Sequence, residues 1–332
     1  MKNGIKIAFV YIGLIIGAGF ASGREIFEYF NLHTGLNPLP IIFAAIMFGL
    51  ISYIILSKSL RLKISDFGEF VSVTAGRLAP FIKAVMYLFM FCGFFVMLSA
   101  SGSLFATAFS VSRKAGTVLL ALVCFTVFAF DIKGIVAINT VLVPFMICGI
   151  TYLSVTSLLY GSCETSTFAA TGNMFVTAVC YVSYNTITAG AVLVPLYSIL
   201  NKKSIRTGVI LGTAILGVLI LLIWGVLNMF YDKIFCSDMP LFGIAAIRGE
   251  IYQTIYTAVL FTSICTTAVS HGFGILSQLK FNSKKSRVLA SAVFCALALP
   301  FSDFNFSFLV SSLYSVFGYF GLVWLAILLI KR

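Results

Sequence analysis

The chain has 332 residues, 61% of them hydrophobic and only 10% charged, with a formal net charge of +12 and a mean hydropathy of +1.09. A soluble domain is about 45–50% apolar and about 25% charged, so no water-soluble fold can cover this much apolar surface. The chain therefore reads as an all-α polytopic membrane protein. It has no room for a sizeable soluble domain, which excludes most enzyme scaffolds, and its positive charge needs no nucleic acid.

Ten apolar windows bounded by charge or turn residues predict membrane spans at approximately 5–28, 38–57, 80–110, 115–130, 135–160, 172–200, 207–230, 250–279, 286–301 and 305–330. Continuous apolar runs exclude barrel strands, which alternate. With both termini cytoplasmic, 17 of the 22 basic residues fall inside, and only Arg24, Arg113, Lys114, Lys233 and Arg248 fall outside. That asymmetry follows the positive-inside rule. Reading the first span as a cleaved signal would leave nine spans and reverse the orientation.

The first span contains Gly13, Gly17, Gly19 and Gly23, four glycines in eleven residues. Each glycine costs a helix up to about 1 kcal/mol relative to alanine. The spacing does not make a dinucleotide fingerprint, since no strand precedes it. Two readings stay open: small-residue helix packing, and a helix broken at mid-membrane whose unwound backbone lines a binding site. Arg24 and Glu25 follow on the external side. They are candidates for an outer gate with Asp303, and Glu25 is a candidate proton carrier. Between the first two spans and the third, residues 58–79 form the longest polar stretch and predict a short cytoplasmic interfacial helix.

The third span carries Ser99, Ser101, Gly102 and Ser103, a candidate wall of a binding site. The fifth runs from Gly134 to Tyr160 without an internal lysine, with Lys133 at its mouth. Six cysteines lie within spans and read as small hydrophobes; no Cys-x-x-Cys pair suggests zinc or redox chemistry. Cys163 and Cys236 fall in predicted external loops, where a disulfide is conceivable.

In the sixth span, Tyr184-Asn185-Thr186-Ile187-Thr188-Ala189-Gly190 places a polar, turn-prone cluster within an apolar run. Asparagine is a poor helix former and costly in lipid unless partnered. From Gly17 to Tyr184 is 167 residues, and half the chain is 166. Paired interruptions at matching places point to a transporter built from inverted repeats. Two five-helix units are expected, 1–164 and 165–332, with helices 1 and 6 broken. Substrate would then lie against Gly17, Ala18, Gly19, Phe20, Tyr184, Asn185 and Thr186. No charged side chain is expected deep in these segments, which favours a small neutral or zwitterionic amino acid over a polyamine.

The eighth span is dense in hydroxyls. Ser263, Thr266 and Thr267 share a helix face at i, i+3 and i+4, either bonding back to their own helix or offering oxygens to a monovalent cation. His271 lies one turn further on and is the best candidate for a pH-sensitive element.

This layout resembles the LeuT fold of the amino acid–polyamine–organocation superfamily and the neurotransmitter–sodium symporters. The stretch Gly17-Ala18-Gly19-Phe20-Ala21-Ser22-Gly23-Arg24-Glu25, with its following aromatics, more closely resembles the bacterial YkvI-like membrane proteins of that superfamily. The resemblance implies a sodium site held by the carbonyls of Gly13 and Ile16 with Ser263, Thr266 and Thr267. In some proton-coupled relatives a lysine inside helix 5 replaces that sodium; none stands there in this chain. The expectation is a non-enzymatic secondary transporter of the bacterial cytoplasmic (inner) membrane, a symporter of a small amino acid or related solute. Sodium is the expected ion, with the proton as the alternative and no cofactor. Its partners are the small-molecule substrate and the lipid bilayer. A ligand-sensing subunit without net transport is the alternative from another class.

Overall fold

The computed structural model describes residues 2–129, 135–161, 173–279 and 281–330. The first predicted span begins as α1 (Lys2–Ile15), then becomes α2 (Ala18–Ala21), α3 (Arg24–Ile26), a π turn (Phe27–Asn31) and α4 (Leu32–Thr34). Next come α5 (Leu39–Leu62), the short α6 (Phe67–Ala75) in the polar stretch, and α7 (Ala79–Phe109). The first half closes with α8 (Arg113–Ala129) and α9 (Ile135–Tyr160). The second half holds α10 (Met174–Leu193), running into a 3-10 turn (Val194–Ile199), then α11 (Lys202–Met229), α12 (Tyr231–Ile234) and α13 (Pro240–Arg248). It ends with α14 (Glu250–Leu276), α15 (Lys284–Ala298), α16 (Phe306–Leu309), a second π turn (Val310–Tyr314) and α17 (Ser315–Ile330).

Eight helical stretches among the described residues are long and apolar enough to cross a membrane by length and composition. The first predicted span is divided into short pieces, and α8 has 17 residues among those described. Local chemistry sets the ends. Asn201 and Ser204 form a reciprocal capping box at the start of α11, while Asp66 accepts from the Glu69 N–H at 2.7 Å to start α6. Large apolar side chains such as Ile46, Leu159, Leu289 and Tyr319 are exposed, the surface expected where lipid is the solvent.

Inside, α1 lies against α11, α7 against α14 and α10 against α17, with α5 touching both α10 and α11. The divided first span is thereby surrounded by long helices. One expectation fails here. Helix α10 runs unbroken through Tyr184–Gly190. Its asparagine and threonine side chains bond to their own helix: the Asn185 amide donates to Tyr181 O at 3.0 Å, and the Thr186 hydroxyl to Val182 O at 2.8 Å. Thr188 likewise donates to Asn185 O at 3.0 Å. Back-bonding of this kind removes the need to unwind, and the geometry changes only at Val194, beside Pro195. Lys133 and Cys163 lie outside the described residues.

Candidate functional site

The divided helix supplies the first half of the site. Helix α1 stops at Ile15, and the Gly17 N–H turns back to Ile15 O at 2.8 Å. The carbonyl of Gly13 thus loses the donor a continuous helix would give it. Gly17 is extended, and its own carbonyl restarts the chain by accepting from Ala21 N at 2.8 Å. Gly23 takes a left-handed conformation, φ 79°, which lets α3 change direction with no side-chain strain. The end of α2 is tied down from outside. Tyr256 of α14 donates to Ala21 O at 2.6 Å, and the Leu241 N–H of α13 to Ser22 O at 2.8 Å. Tyr256→Phe is expected to cost about 1–3 kcal/mol by orphaning a buried carbonyl, read as a lower melting temperature in detergent.

Opposite the division stands α14. Ser263 donates its hydroxyl to Ile16 O at 3.1 Å, and Thr266 donates to Ser263 O at 3.0 Å. The Thr267 hydroxyl is buried without a hydrogen-bond partner. It lies on the Gly17 side, where a Cβ at Gly17 would meet it at 3.3 Å. Four of the five residues expected to hold a cation, Ile16, Ser263, Thr266 and Thr267, therefore meet at one place, with Gly13 a turn below on α1. All are neutral oxygens, a donor set for a hard monovalent cation rather than a transition metal. Among the described residues no group of three or more His, Cys, Asp or Glu is placed to hold a metal.

The second half of the site centres on Glu25, which is 4% exposed. This corrects one expectation: a charged side chain does lie deep in the first span, and among the described residues Glu25 forms no ion pair with Arg24 or Asp303. Its side chain folds back across the Gly19 backbone, so closely that a Cβ on Gly19 would overlap the carboxylate. Tyr29, Tyr181, Tyr184 and Tyr314 all stand within electrostatic reach of that carboxylate. The rings pack on one another, with centroids 5.4 Å apart for Tyr29–Tyr181, 5.6 Å for Tyr29–Tyr184 and 4.9 Å for Tyr184–Tyr314. Oε2 of Glu25 and the hydroxyls of Tyr29, Tyr181 and Tyr184 have no hydrogen-bond partner among the described residues. Tyr29 and Tyr314 both come from the two π turns, irregularities that concentrate at functional sites.

The remaining expected residues disperse. Arg24 turns away from Glu25 to pair with Glu28, donates to Ser237 O at 3.4 Å and lies over the Phe27 ring. Asp303 is exposed and forms no ion pair among the described residues. His271 is buried, with Nδ1 2.9 Å from Thr267 O and its ring 5.9 Å from Phe89. The third-span hydroxyls serve packing: Ser99 donates to Phe304 O at 2.7 Å and Ser101 to Gly116 O at 2.8 Å. Asn185 and Thr186 direct their donors at their own helix. Tyr29, Tyr181 and Tyr314 were not expected. Their only signals are the aromatic stretch after the glycine segment that holds Tyr29, the position of Tyr181 three residues before Tyr184, and the place of Tyr314 in the last span.

Among the described residues the chain is built of helices, and its arrangement is that of the LeuT fold. The chain is similar to a sodium-coupled sialic acid symporter in a substrate-bound outward-open state (TM-score 0.64, 14% identity, covering 96% of this chain and 75% of that one). It is equally similar to Mhp1 in its inward-facing conformation (TM-score 0.65, 12% identity, 96% and 73%). A manganese transporter of Eremococcus coleocola also superposes (TM-score 0.64, 12% identity, 98% and 78%). These structures are of transporters, not enzymes. By sequence, the chain has two full-length homologues in Bacillus subtilis strain 168. They are the uncharacterized membrane protein YkvI (27% identical over 333 residues, 98% of this chain and 95% of that protein) and the uncharacterized protein YyaD (27% over 342 residues, 99% and 97%). No family model matches the chain.

Proposed function

We propose that the protein is a secondary active transporter that couples movement of a small organic solute, an amino acid or a related amino compound, to sodium by alternating access. One observation carries the reading. The carbonyl of Ile16, where the first span divides, accepts from the Ser263 hydroxyl at 3.1 Å, and the buried Thr267 hydroxyl beside Gly17 lacks a partner. An unpartnered buried hydroxyl beside loose carbonyls costs free energy that a bound cation would recover. In this reading ten spans form two inverted five-helix repeats, both termini are cytoplasmic, and only helix 1 is interrupted at mid-membrane. Binding of ion and solute beside the interruption would bias rocking of one helix group against the rest, since a ligand shifts an equilibrium only by its differential affinity for the two states.

Sodium, and not potassium, should raise the melting temperature of the purified protein, and uptake into proteoliposomes should follow a sodium gradient. Thr266→Ala/Thr267→Ala should remove both effects. The buried Glu25 supports a second reading, coupling to protons. Uptake indifferent to sodium and driven by a proton gradient would establish that one. Ligand binding with no flux under either gradient would instead favour a sensing subunit.

A further inference from the structure

A cavity of about 380 Å³ lies away from the divided span, at the end of the bundle where α7 stops and α14 starts. Glu250, Thr254, Ala258 and Phe109 on its rim are exposed, so it opens along the outer flank of the bundle. Ile251 and Ile255, its neighbours on α14, are exposed as well, as lipid-facing residues are. The mouth is polar, with Glu250, Gln253 and Thr254, and the floor is aromatic, with Phe261 of α14 against Phe105 of α7. Ring centroids are 5.6 Å apart for Phe105–Phe261 and 5.3 Å for Phe105–Phe109. Thr257, between mouth and floor, spends its donor within the helix on Gln253 O at 2.7 Å. From Glu250 to Phe261 the helix descends about 16 Å at about 1.5 Å per residue, close to one leaflet of a hydrocarbon core roughly 30 Å thick. Glu250 is the one charged group of the lining, and no basic side chain joins it there. It forms no ion pair among the described residues. Arg248, two residues earlier, is turned to Tyr160 O, Thr156 O and the Tyr252 ring.

We propose that this groove seats a membrane phospholipid with a primary-ammonium head, the ammonium on Glu250 and one acyl chain on the Phe105–Phe261 floor. The inference stands apart from the transport reading. Polarity changes along the groove as it does along a lipid, from a charged mouth to an apolar end one leaflet deep. An ammonium donates charge-assisted hydrogen bonds to a carboxylate. Gln253 and Thr254, three and four residues beyond Glu250, share its helix face. They bring an amide N–H and a hydroxyl to the phosphate that lies two carbons from the ammonium. The same chemistry disfavours the other lipids. An anionic head without an amine would set its phosphate near Glu250, with no basic side chain in the lining to offset the repulsion. A quaternary ammonium has no N–H to give the carboxylate. A soluble amine would leave the aromatic floor uncovered, so the chain is part of the fit.

The test is thermal unfolding of the full chain in detergent with added dioleoyl phosphatidylethanolamine, phosphatidylcholine or phosphatidylglycerol. Ethanolamine phosphate serves as the head without its chains. Phosphatidylethanolamine should raise the wild-type melting temperature most and phosphatidylcholine less, while phosphatidylglycerol and ethanolamine phosphate leave it unmoved. Glu250→Gln changes an exposed side chain and should bring the phosphatidylethanolamine shift down to that of phosphatidylcholine. Ala258→Trp, also at an exposed position, fills the groove; it should melt near wild type without lipid and respond to neither. Native mass spectrometry should find phosphatidylethanolamine retained on wild type and reduced several-fold on Glu250→Gln. Equal shifts with phosphatidylethanolamine and phosphatidylglycerol in wild type would overturn the proposal, as would a phosphatidylethanolamine shift that survives Glu250→Gln undiminished. A shift with ethanolamine phosphate alone would overturn it too, since the groove would then serve a soluble amine.

Discussion

Gly19→Ala is expected to abolish transport while leaving the helical fold in place. Residue 19 sits inside α2, where propensity alone favours alanine over glycine by up to about 1 kcal/mol. If Gly19 were only a helix residue, the substitution would therefore be neutral or mildly stabilising. The close approach of Glu25 reverses that for function. A Cβ at position 19 would lie 2.6 Å from both Cγ and Cδ of Glu25, so the collision involves the stem of the side chain and cannot be relieved by turning its tip. Nor is there space to retreat, because the tyrosine rings behind the carboxylate are in mutual contact at 4.9–5.6 Å between centroids. The carboxylate must leave its place among the tyrosines. A displacement of about 1 Å at a reacting or binding group can cost about 100-fold, and uptake into proteoliposomes should fall by at least that order. Circular dichroism and size-exclusion behaviour should match wild type. Uptake within a few-fold of wild type would show that the Gly19–Glu25 contact is not used.

The contrast between Gly19 and Asn185 explains how much of the molecule could be read before its structure. The long helices were legible because lipid imposes a length and a composition, and because the loops carry the positive charge; α10 and α14 lie inside the expected windows, and α5, α7 and α11 overlap theirs but overrun one end. The hydroxyl set on α14 was legible because i, i+3, i+4 spacing fixes a face. Asn185 misled, because a polar side chain in an apolar run has two remedies, unwinding the backbone or bonding back to it. Sequence spacing does not distinguish them. Glu25 misled for a related reason: a carboxylate two residues beyond Gly23 looks external if the chain continues straight, but the left-handed Gly23 and the π turn after α3 redirect it inward. The tyrosine box was illegible because it is assembled from the first, sixth and last spans, and no local pattern links Tyr29, Tyr181, Tyr184 and Tyr314.

A comparison between two glycines of α17 tests the packing that holds this box. A Cβ at Gly321 would overlap the backbone carbonyl of Ser183 and come within 2.9 Å of Tyr184 N. The obstacle is main chain, so no rotamer change relieves it, and α10 and α17 must move apart. Gly321→Ala should therefore destabilise by about 1–3 kcal/mol, the usual cost of overpacking. At Gly318, one turn earlier on the same helix, a Cβ would meet Cys180 O at 3.5 Å and Cys180 Cβ at 3.6 Å, ordinary van der Waals distances. Gly318→Ala should leave stability unchanged or slightly raised, because its close hydrogen bond, from Ser183 Oγ to Gly318 O at 2.6 Å, uses only the carbonyl. Melting temperatures of the two variants in the same detergent separate the cases. The functional consequence should follow the same order. Gly321→Ala pushes on the segment that carries Tyr184 and should slow uptake into proteoliposomes, whereas Gly318→Ala should not. Equal behaviour of the two variants would mean that α10 and α17 are not held at backbone contact, and that Tyr184 is positioned by the tyrosine rings alone.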